Sequence, residues 1–533
     1  MQKCFNRIFS FRVIICFVIC LILAVLAVAR IFLINISVNS KTANMPINSA
    51  SFNIGNTRGN IYDTHGFLLT NEVKEYKAII FPTEKAIRRL NSFFSLDERI
   101  TILEQLKANK PILTNANSLI NIDDIFGFSY TNRYTENTLA THLIGYVNSE
   151  NKGVSGIEKS YNDILYSNEN LTVSIATNGK SEVLNGAQLE FYGNQNNNAV
   201  YLTIDKRIQK IAEDSAKPLN KGAVLICETE SGKIRAMVSK PNFNQNNIAL
   251  SLNDSSSPLI NRNLQNYNVG SIFKPCVAIA AIKSGLNNYE YTCTGSCNID
   301  GYNFNCHKKD GHGKMNLKTA ISNSCNTYFY NIAQEIDNTV LYNTAVSLGF
   351  GSFSKIANEL KTENGKISTK KELNASKRMV ANFSIGQVNI LLSPILMLNL
   401  YNAIANNGEY VKPYVVEKTV NNGKTEYFST NTVKVIDNTD ILKEALLMVV
   451  EEGTGKLAKS EEILLSGKTA TAETGWLING QKAVHSWFCG FFPYYNPKYT
   501  VIVFAENGDI TNSTTAEIFK NIAESIKNEG LTT

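Results

Sequence analysis

The sequence predicts an α+β fold: one antiparallel sheet flanked by helices, behind a single N-terminal transmembrane helix and an elongated mixed α/β segment. Three observations lead there. Apolar strand-like runs stand at both ends of the C-terminal half, around 222–240 and 468–507, and the runs between them have helical length and helical stops. Residues 13–34 form an apolar stretch long enough to span a bilayer. Residues 54–184 alternate short strand-like and helix-like runs. At 533 residues the chain exceeds what one core can organise, so two or three domains are expected.

Taken in order, Lys3, Arg7 and Arg12 precede the uncharged run from Val13 to Ala29, and Ile31 to Ile34 continue it past Arg30. The shorter run rises about 25 Å as a helix, and about 33 Å if Arg30 snorkels. Positive charge ahead of the span places residues 1–12 in the cytoplasm and the remainder outside, as a single-pass membrane protein. Ala27-Val28-Ala29 resembles a cleavage site, the competing signal-peptide reading, but the apolar run exceeds a usual signal core. A polar tether (35–53), the mixed domain (54–184), an Asn- and Gly-rich linker (185–200) and a C-terminal domain (201–528) follow.

The C-terminal domain opens with GAVLICETESGKIRAMVSKP, two apolar runs around Glu230-Ser231-Gly232 that read as a hairpin. An apolar helix runs from Phe273 to Ile282 and stops at Gly285. Pro275 costs it little, because first-turn amides lack partners anyway. Ser393-Pro394 starts another helix, closed by Asn407-Gly408. GKTATAE, HSWFCGFFPYY and KYTVIVFAEN read as three strands, and a last helix places Ile518, Ile522 and Ile526 on one face behind a Thr514/Glu517 capping box.

Charge excludes one class of function. A net +6 is spread over the chain without a Lys/Arg cluster, so no nucleic-acid partner is expected. Seven of ten cysteines fall in the exported part, an odd number that leaves at least one free thiol or an intermolecular bond. Cys293-x3-Cys297-x8-Cys306-His307 has some look of a zinc site, but its spacing matches no common module, so no metal and no cofactor is expected.

The chemistry centres on Ser271 and Lys274, three apart where a glycine hands over to an apolar helix, so that both share a face. A serine nucleophile needs a base, and none of the five histidines sits in a recognisable triad setting. A lysine serves if its amine is neutral, which burial, a helix N-terminus and a second cation all favour. Alone, S-x-x-K more often marks an N-cap serine and a solvated lysine. Two further pieces alter that: Ser324-Cys325-Asn326, 53 residues after Ser271, and Lys468-Thr469-Ala470-Thr471, 197 residues after it.

In that order the three motifs resemble the signature of penicillin-recognising serine enzymes. The likeness extends to TRGNIYDTHGFLLTNE, HLIGYVNSENKGVSGIEKSYNDIL, YLTIDKRIQ, FSIGQVNILLSPILMLNLYNAIANNG, VVEEGTGKLA and WFCGFFPYYNPKYTVIVFAENG. The chain is thereby identified as resembling the class B (monofunctional) penicillin-binding proteins, the D,D-transpeptidases of peptidoglycan synthesis. The resemblance makes 54–184 a pedestal, or dimerisation-type, domain and 201–528 a penicillin-binding transpeptidase domain. It implies that Ser271 is acylated by D-Ala-D-Ala stem peptides and by β-lactams, and that Lys274 takes the serine proton. Ser324 would relay a proton to the leaving amine, Asn326 hold the substrate amide, Lys468 maintain the field and Thr469 bind the substrate carboxylate. The amides of Ser271 and Thr471 would form the oxyanion hole, each donor worth about 10²–10³ in rate. Expected partners are a membrane glycan polymerase and other wall-assembly proteins.

The chain departs from the family at Ala470, where glycine is the rule, and at Val269, where proline is common. A strand places the Ala470 methyl on the side of Lys468, where it either narrows the cleft and weakens β-lactam binding or is absorbed by a small strand shift. Cys325 lies inside the second motif, and a Cys306–Cys325 redox pair that disables the cleft is one reading of it. Three alternatives share the motifs: a hydrolase, a β-lactam sensor, and a wall-assembly scaffold with a decayed site. Against a hydrolase, KKELN carries Lys370 where a deacylating glutamate would stand. Against a sensor, only about twelve residues precede the span.

Overall fold

The computed structural model describes residues 18–19, 21–30 and 48–532, apart from 73, 136–137, 194–195, 479 and 507–511. Residues 21–30 are helical and exposed. No helix among the described residues is long and apolar enough to cross a membrane. The tail expected at 1–12, both ends of the span expected at 13–34, and most of the tether lie outside them.

The chain forms two compact units, and both are discontinuous. The first gathers 1–57, 74–131 and 167–196; the second gathers 58–73, 132–166 and 197–533. The first holds a three-stranded antiparallel sheet (Ser49–Asn56, Asn170–Ala176, Leu189–Tyr192) and a four-stranded one centred on Lys74–Ile80 and Ile125–Thr131. Beside these lies the helix Leu96–Leu106, opened by a capping box of Ser95 and Glu98.

The contiguous 54–184 block expected from the sequence is therefore divided between the units, for two physical reasons. Asn60–Tyr62 pairs in parallel with Ala199–Leu202, which in turn pairs with Val416–Asn421. Glu158, fully buried, accepts from Arg58 Nε at 2.6 Å, Arg133 Nε at 2.6 Å and the Tyr134 hydroxyl at 2.9 Å. Charges buried together need one another, so this cluster binds 58–73 to 132–166.

The second unit is built on a five-stranded antiparallel sheet of β1 (Gly222–Glu228), β2 (Ile234–Lys240), β3 (Ser466–Ile478), β4 (Gln481–Phe492) and β5 (Tyr499–Ala505), in the order β2-β1-β5-β4-β3. Alternation sends the two sets of side chains to opposite faces. Ala223, Leu225 and Cys227 join a large apolar cluster with α2 (Lys274–Lys283), α3 (Leu317–Ser322), α4 (Asn326–Ile332), α5 (Pro394–Ala405) and α6 (Asp440–Glu451). Val224 and Ile226 face the other way, against α1 (Lys206–Ser215) and α7 (Asn512–Asn528), where Ile518, Ile522 and Ile526 are buried. Helices covering both faces leave β3 as a sheet edge, and β3 carries Lys468 to Thr471.

Candidate active site

Ser271 lies in a short 3₁₀ turn, Gly270–Phe273, immediately ahead of α2. Three hydrogen bonds fix that turn: Gly270 N to Gly386 O at 3.1 Å, the Tyr401 hydroxyl to Ile272 O at 3.0 Å, and Trp487 Nε1 to Asn268 O at 3.0 Å. Both glycines are required. Gly270 has φ +58°, with a Cβ meeting that of Ala472 at 3.1 Å, and Gly386 has φ +71°, with a Cβ falling 2.2 Å from Gly270 O. Gly386, Tyr401 and Trp487 lie in segments that matched the family, but the residues alone announced no role beside Ser271.

Lys274 is fully buried, and its Nζ reaches Ser324 O at 2.7 Å, Ser324 Oγ at 3.1 Å and Asn326 Oδ1 at 2.7 Å. The Phe329 ring lies 5.6 Å away. Burial pulls the amine down from its ordinary 10.5 to about 7, the Cys325 and Cys306 sulfurs opposing. A neutral amine has two protons and a lone pair. With three oxygens around it, it donates to Ser324 O and Asn326 Oδ1 and keeps the lone pair for a hydroxyl. The side-chain contact expected between Ser271 and Lys274 is not formed: Ser271 Oγ makes no hydrogen bond among the described residues, and the two are joined by the Lys274 amide donating to Ser271 O. Catalytic hydrogen bonds of this kind often tighten only once substrate is bound.

Ser324 adopts φ +52°, a left-handed conformation unusual for serine, in the turn between α3 and α4. From β3, Lys468 sends Nζ to its neighbour Thr469 O at 3.0 Å and to Thr454 Oγ1 at 3.4 Å. Its amine is held well below the usual lysine value, first by burial and then by the Lys274 charge. Thr469 donates to Thr454 Oγ1 at 3.1 Å. Thr454, in VVEEGTGKLA, is a site residue to which the sequence reading gave no role. Thr471 is exposed on the same edge strand. The Ala470 methyl does face the side of Lys468, but it is 2 % exposed and packs in the apolar cluster beneath the cleft.

Behind Ser324 and Asn326 lies a second cluster. The donor atoms of Cys293, Cys306, His312 and Cys325 all fall within 4.8 Å of one another. Cys306 Sγ is 3.5 Å from His312 Nδ1 and 4.0 Å from Cys325 Sγ, and the seven cysteines among the described residues are free thiols. The sulfur–sulfur contact draws Cys306 towards thiolate and holds Cys325 as thiol. Three sulfurs and one imidazole nitrogen suit a tetrahedral soft cation such as zinc. The sequence spacing had offered Cys297 and His307 with Cys293 and Cys306. The fold puts His312 and Cys325 in their places, because the ribbon Ser296–Ile299/Tyr302–Asn305 turns Cys297 towards Phe304 and Tyr330. The sequence carried no signal for His312, which joins only through the Tyr291–Cys293/Gly313–Met315 pairing.

A family profile described as "Penicillin binding protein transpeptidase domain" matches residues 222–524. The peptidoglycan D,D-transpeptidase MrdA of Acinetobacter baumannii is 27% identical, over 85% of this chain and 77% of that protein. A complex between penicillin-binding protein PBP2 and MreC from Helicobacter pylori superposes with TM-score 0.64 at 23% identity, covering 90% of this chain and 99% of the other. A peptidoglycan synthase complex that coordinates polymerization and crosslinking gives TM-score 0.71 at 21% identity, over 94% and 97%. With more than half its length matched, sheet and motif order included, this chain belongs to the penicillin-binding protein transpeptidase domain family.

Proposed function

We propose that the protein is a class B peptidoglycan D,D-transpeptidase that cross-links stem peptides through an acyl-enzyme at Ser271. The observation that carries the reading is the buried Lys274 amine, lowered to about 7 and held among Ser324 and Asn326 oxygens one turn from Ser271. Lys274 takes the Ser271 proton as Oγ bonds to the penultimate D-Ala carbonyl. That proton passes through Ser324 to the departing amine of the terminal D-Ala, whose bond to the carbonyl breaks. The amine of a second stem peptide then attacks the ester, an amide forms, and the Ser271 hydroxyl is restored. Lys468 maintains the field that orders the hydroxyls, Thr469 holds the substrate carboxylate, Asn326 the substrate amide, and the Ser271 and Thr471 amides the oxyanion.

The chain is anchored by residues 13–34 with its catalytic unit outside the membrane, and it works with a membrane glycan polymerase and other assembly proteins. Support for this comes from the apolar N-terminal run and from the likeness to structures of PBP2 with MreC and of a synthase complex. A cation held by Cys293, Cys306, His312 and Cys325 would brace the Ser324–Asn326 segment from behind through Cys325.

Incubation of the full-length protein with a labelled penicillin tests the reading. The expected result is a persistent covalent adduct mapped by mass spectrometry to Ser271 and absent from Ser271→Ala. Rapid turnover would assign a hydrolase, and no adduct on folded protein would assign a scaffold.

A further inference from the structure

β3 continues well past the reacting groups. Ser466 to Ala470 are buried, whereas Thr471, Glu473 and Gly475 to Leu477 are exposed, so the stretch of this edge strand open to a ligand begins at Thr471. The turn that carries Ser271 meets the strand at that point: a Cβ on Gly270 would stand 3.1 Å from Ala472 Cβ and 3.4 Å from Thr471 O. Thr469 is the residue given to the substrate carboxylate, and the Thr471 amide to the oxyanion of the reacting carbonyl. The step from Thr469 to Thr471 therefore points from the C-terminus of the substrate towards its N-terminus. Ser466 and Gly467 close the other direction by burial, so the rest of an extended peptide follows β3 towards Leu477.

Beyond Thr471 the strand is irregular. Glu473 pairs with Val484 and Leu477 with Lys482, so β3 carries two more residues than β4 over this interval. A bulge of this kind re-aims side chains, and bulges recur beside active sites. Local bonds hold it. Thr474 Oγ1 donates to Ala483 O at 2.9 Å, the Trp476 amide donates to Thr474 Oγ1 at 3.2 Å, Gly475 supplies a φ of +80°, and Lys482 pairs with Glu473 at 3.1 Å. The result presents Trp476 and Leu477 to solvent, 64% and 70% exposed. The chain has two tryptophans, and the other, Trp487, is fully buried. An indole offers a peptide a broad apolar face and one N–H donor. Trp476 stands roughly 16 Å along the strand from Thr471, the span of about five residues of extended peptide.

We infer that Trp476 and Leu477 determine which donor peptides react, by lying against the amino-terminal residues of the stem, roughly four or five positions ahead of the reacting carbonyl. The inference rests on the acyl-enzyme reading at Ser271 and adds a length requirement to it. Contacts this far from the reacting bond raise the rate when they hold the carbonyl at the nucleophile, so a truncated substrate loses rate as well as affinity. The probes are two thioesters that end in the same D-alanyl group, one capped directly by acetyl and one extended by the rest of the stem peptide. Each is offered to the full-length protein in detergent, and the readout is the ratio of kcat/KM, long over short. The parent should favour the long thioester at least about tenfold, Trp476→Ala should lower that ratio about tenfold, and Trp476→Phe, which keeps a ring face, should restore most of it. A parent ratio near one would overturn the inference. So would a Trp476→Ala ratio equal to the parent's, whether both rates fall together, as for a merely structural residue, or neither falls. Any of these beside a normal penicillin adduct at Ser271 removes the length requirement alone, whereas absence of the adduct removes the acyl-enzyme reading.

Discussion

Lys274 and Asn326 are 52 positions apart in the chain, yet Nζ and Oδ1 lie 2.7 Å apart in a site closed to water on the lysine side. This contact joins the first and second motifs, and on the proposed reading it lets a lysine do the work of a histidine. The asparagine orients the amine, and burial removes its charge near neutrality.

The pH dependence of acylation follows from it. The amine is a base only when unprotonated, so the second-order rate of penicillin acylation should rise with pH and reach half its plateau near 7, where burial places Lys274. Stopped-flow acylation of the free protein across pH 5.5–9 measures it, a range set about that value. A flat profile would remove Lys274 as the base.

Substitution of the base should be costly but not structural. Lys274→Met retains the apolar stem and should lower the acylation rate by about 10²–10⁴, the usual worth of a positioned base. The check is the rate beside the unfolding midpoint. Retained acylation would mean the proton leaves by another route.

The Glu158 cluster should dominate the stability of the second unit. Glu158→Ala strands Arg58 and Arg133 in the interior and should cost roughly 3–5 kcal/mol in denaturant titration. Burial alone would raise the Glu158 carboxyl, but Arg133 and Arg58 outweigh it and hold it below 4.5. A depressed folded value means the stabilisation is complete above about 4.5 and is lost as pH falls through the lower folded value. The parent should therefore lose stability in acid more steeply than the alanine variant.

Cys293, Cys306, His312 and Cys325 should together retain about one zinc ion per chain in protein purified without chelator. His312→Ala should lower the metal content, whereas Cys297→Ser should leave it unchanged. Elemental analysis separates them. A Cys306–Cys325 disulfide found in the unreduced protein, with no metal, would instead support the redox pair.

Ala470→Gly should cost about 0.5–1 kcal/mol through strand entropy and leave the acylation rate near the parent's, because the methyl packs beneath the cleft. A large gain in rate would show that the methyl does narrow the cleft.

Much of this molecule is local and therefore legible in the sequence. The alternation of Ala223, Leu225 and Cys227 with Val224 and Ile226 already separates the two faces of a sheet, and the isoleucines of α7 already share one face. The order and spacing of Ser271, Ser324 and Lys468 carried the resemblance to the family, because each motif needs a particular residue type at a helix start or a strand. What only the tertiary structure decided was long-range. It put 58–73 and 132–166 with the catalytic unit through a buried carboxylate and a parallel strand pair. It gave the Lys274 amine to Ser324 and Asn326 rather than to Ser271. It also brought His312 to three cysteines in place of His307. The physical reason is the same throughout: periodicity and capping act over a few residues, whereas burial of a charge, closure of a ligand set and the choice of a hydrogen-bond partner depend on segments tens to hundreds of residues apart.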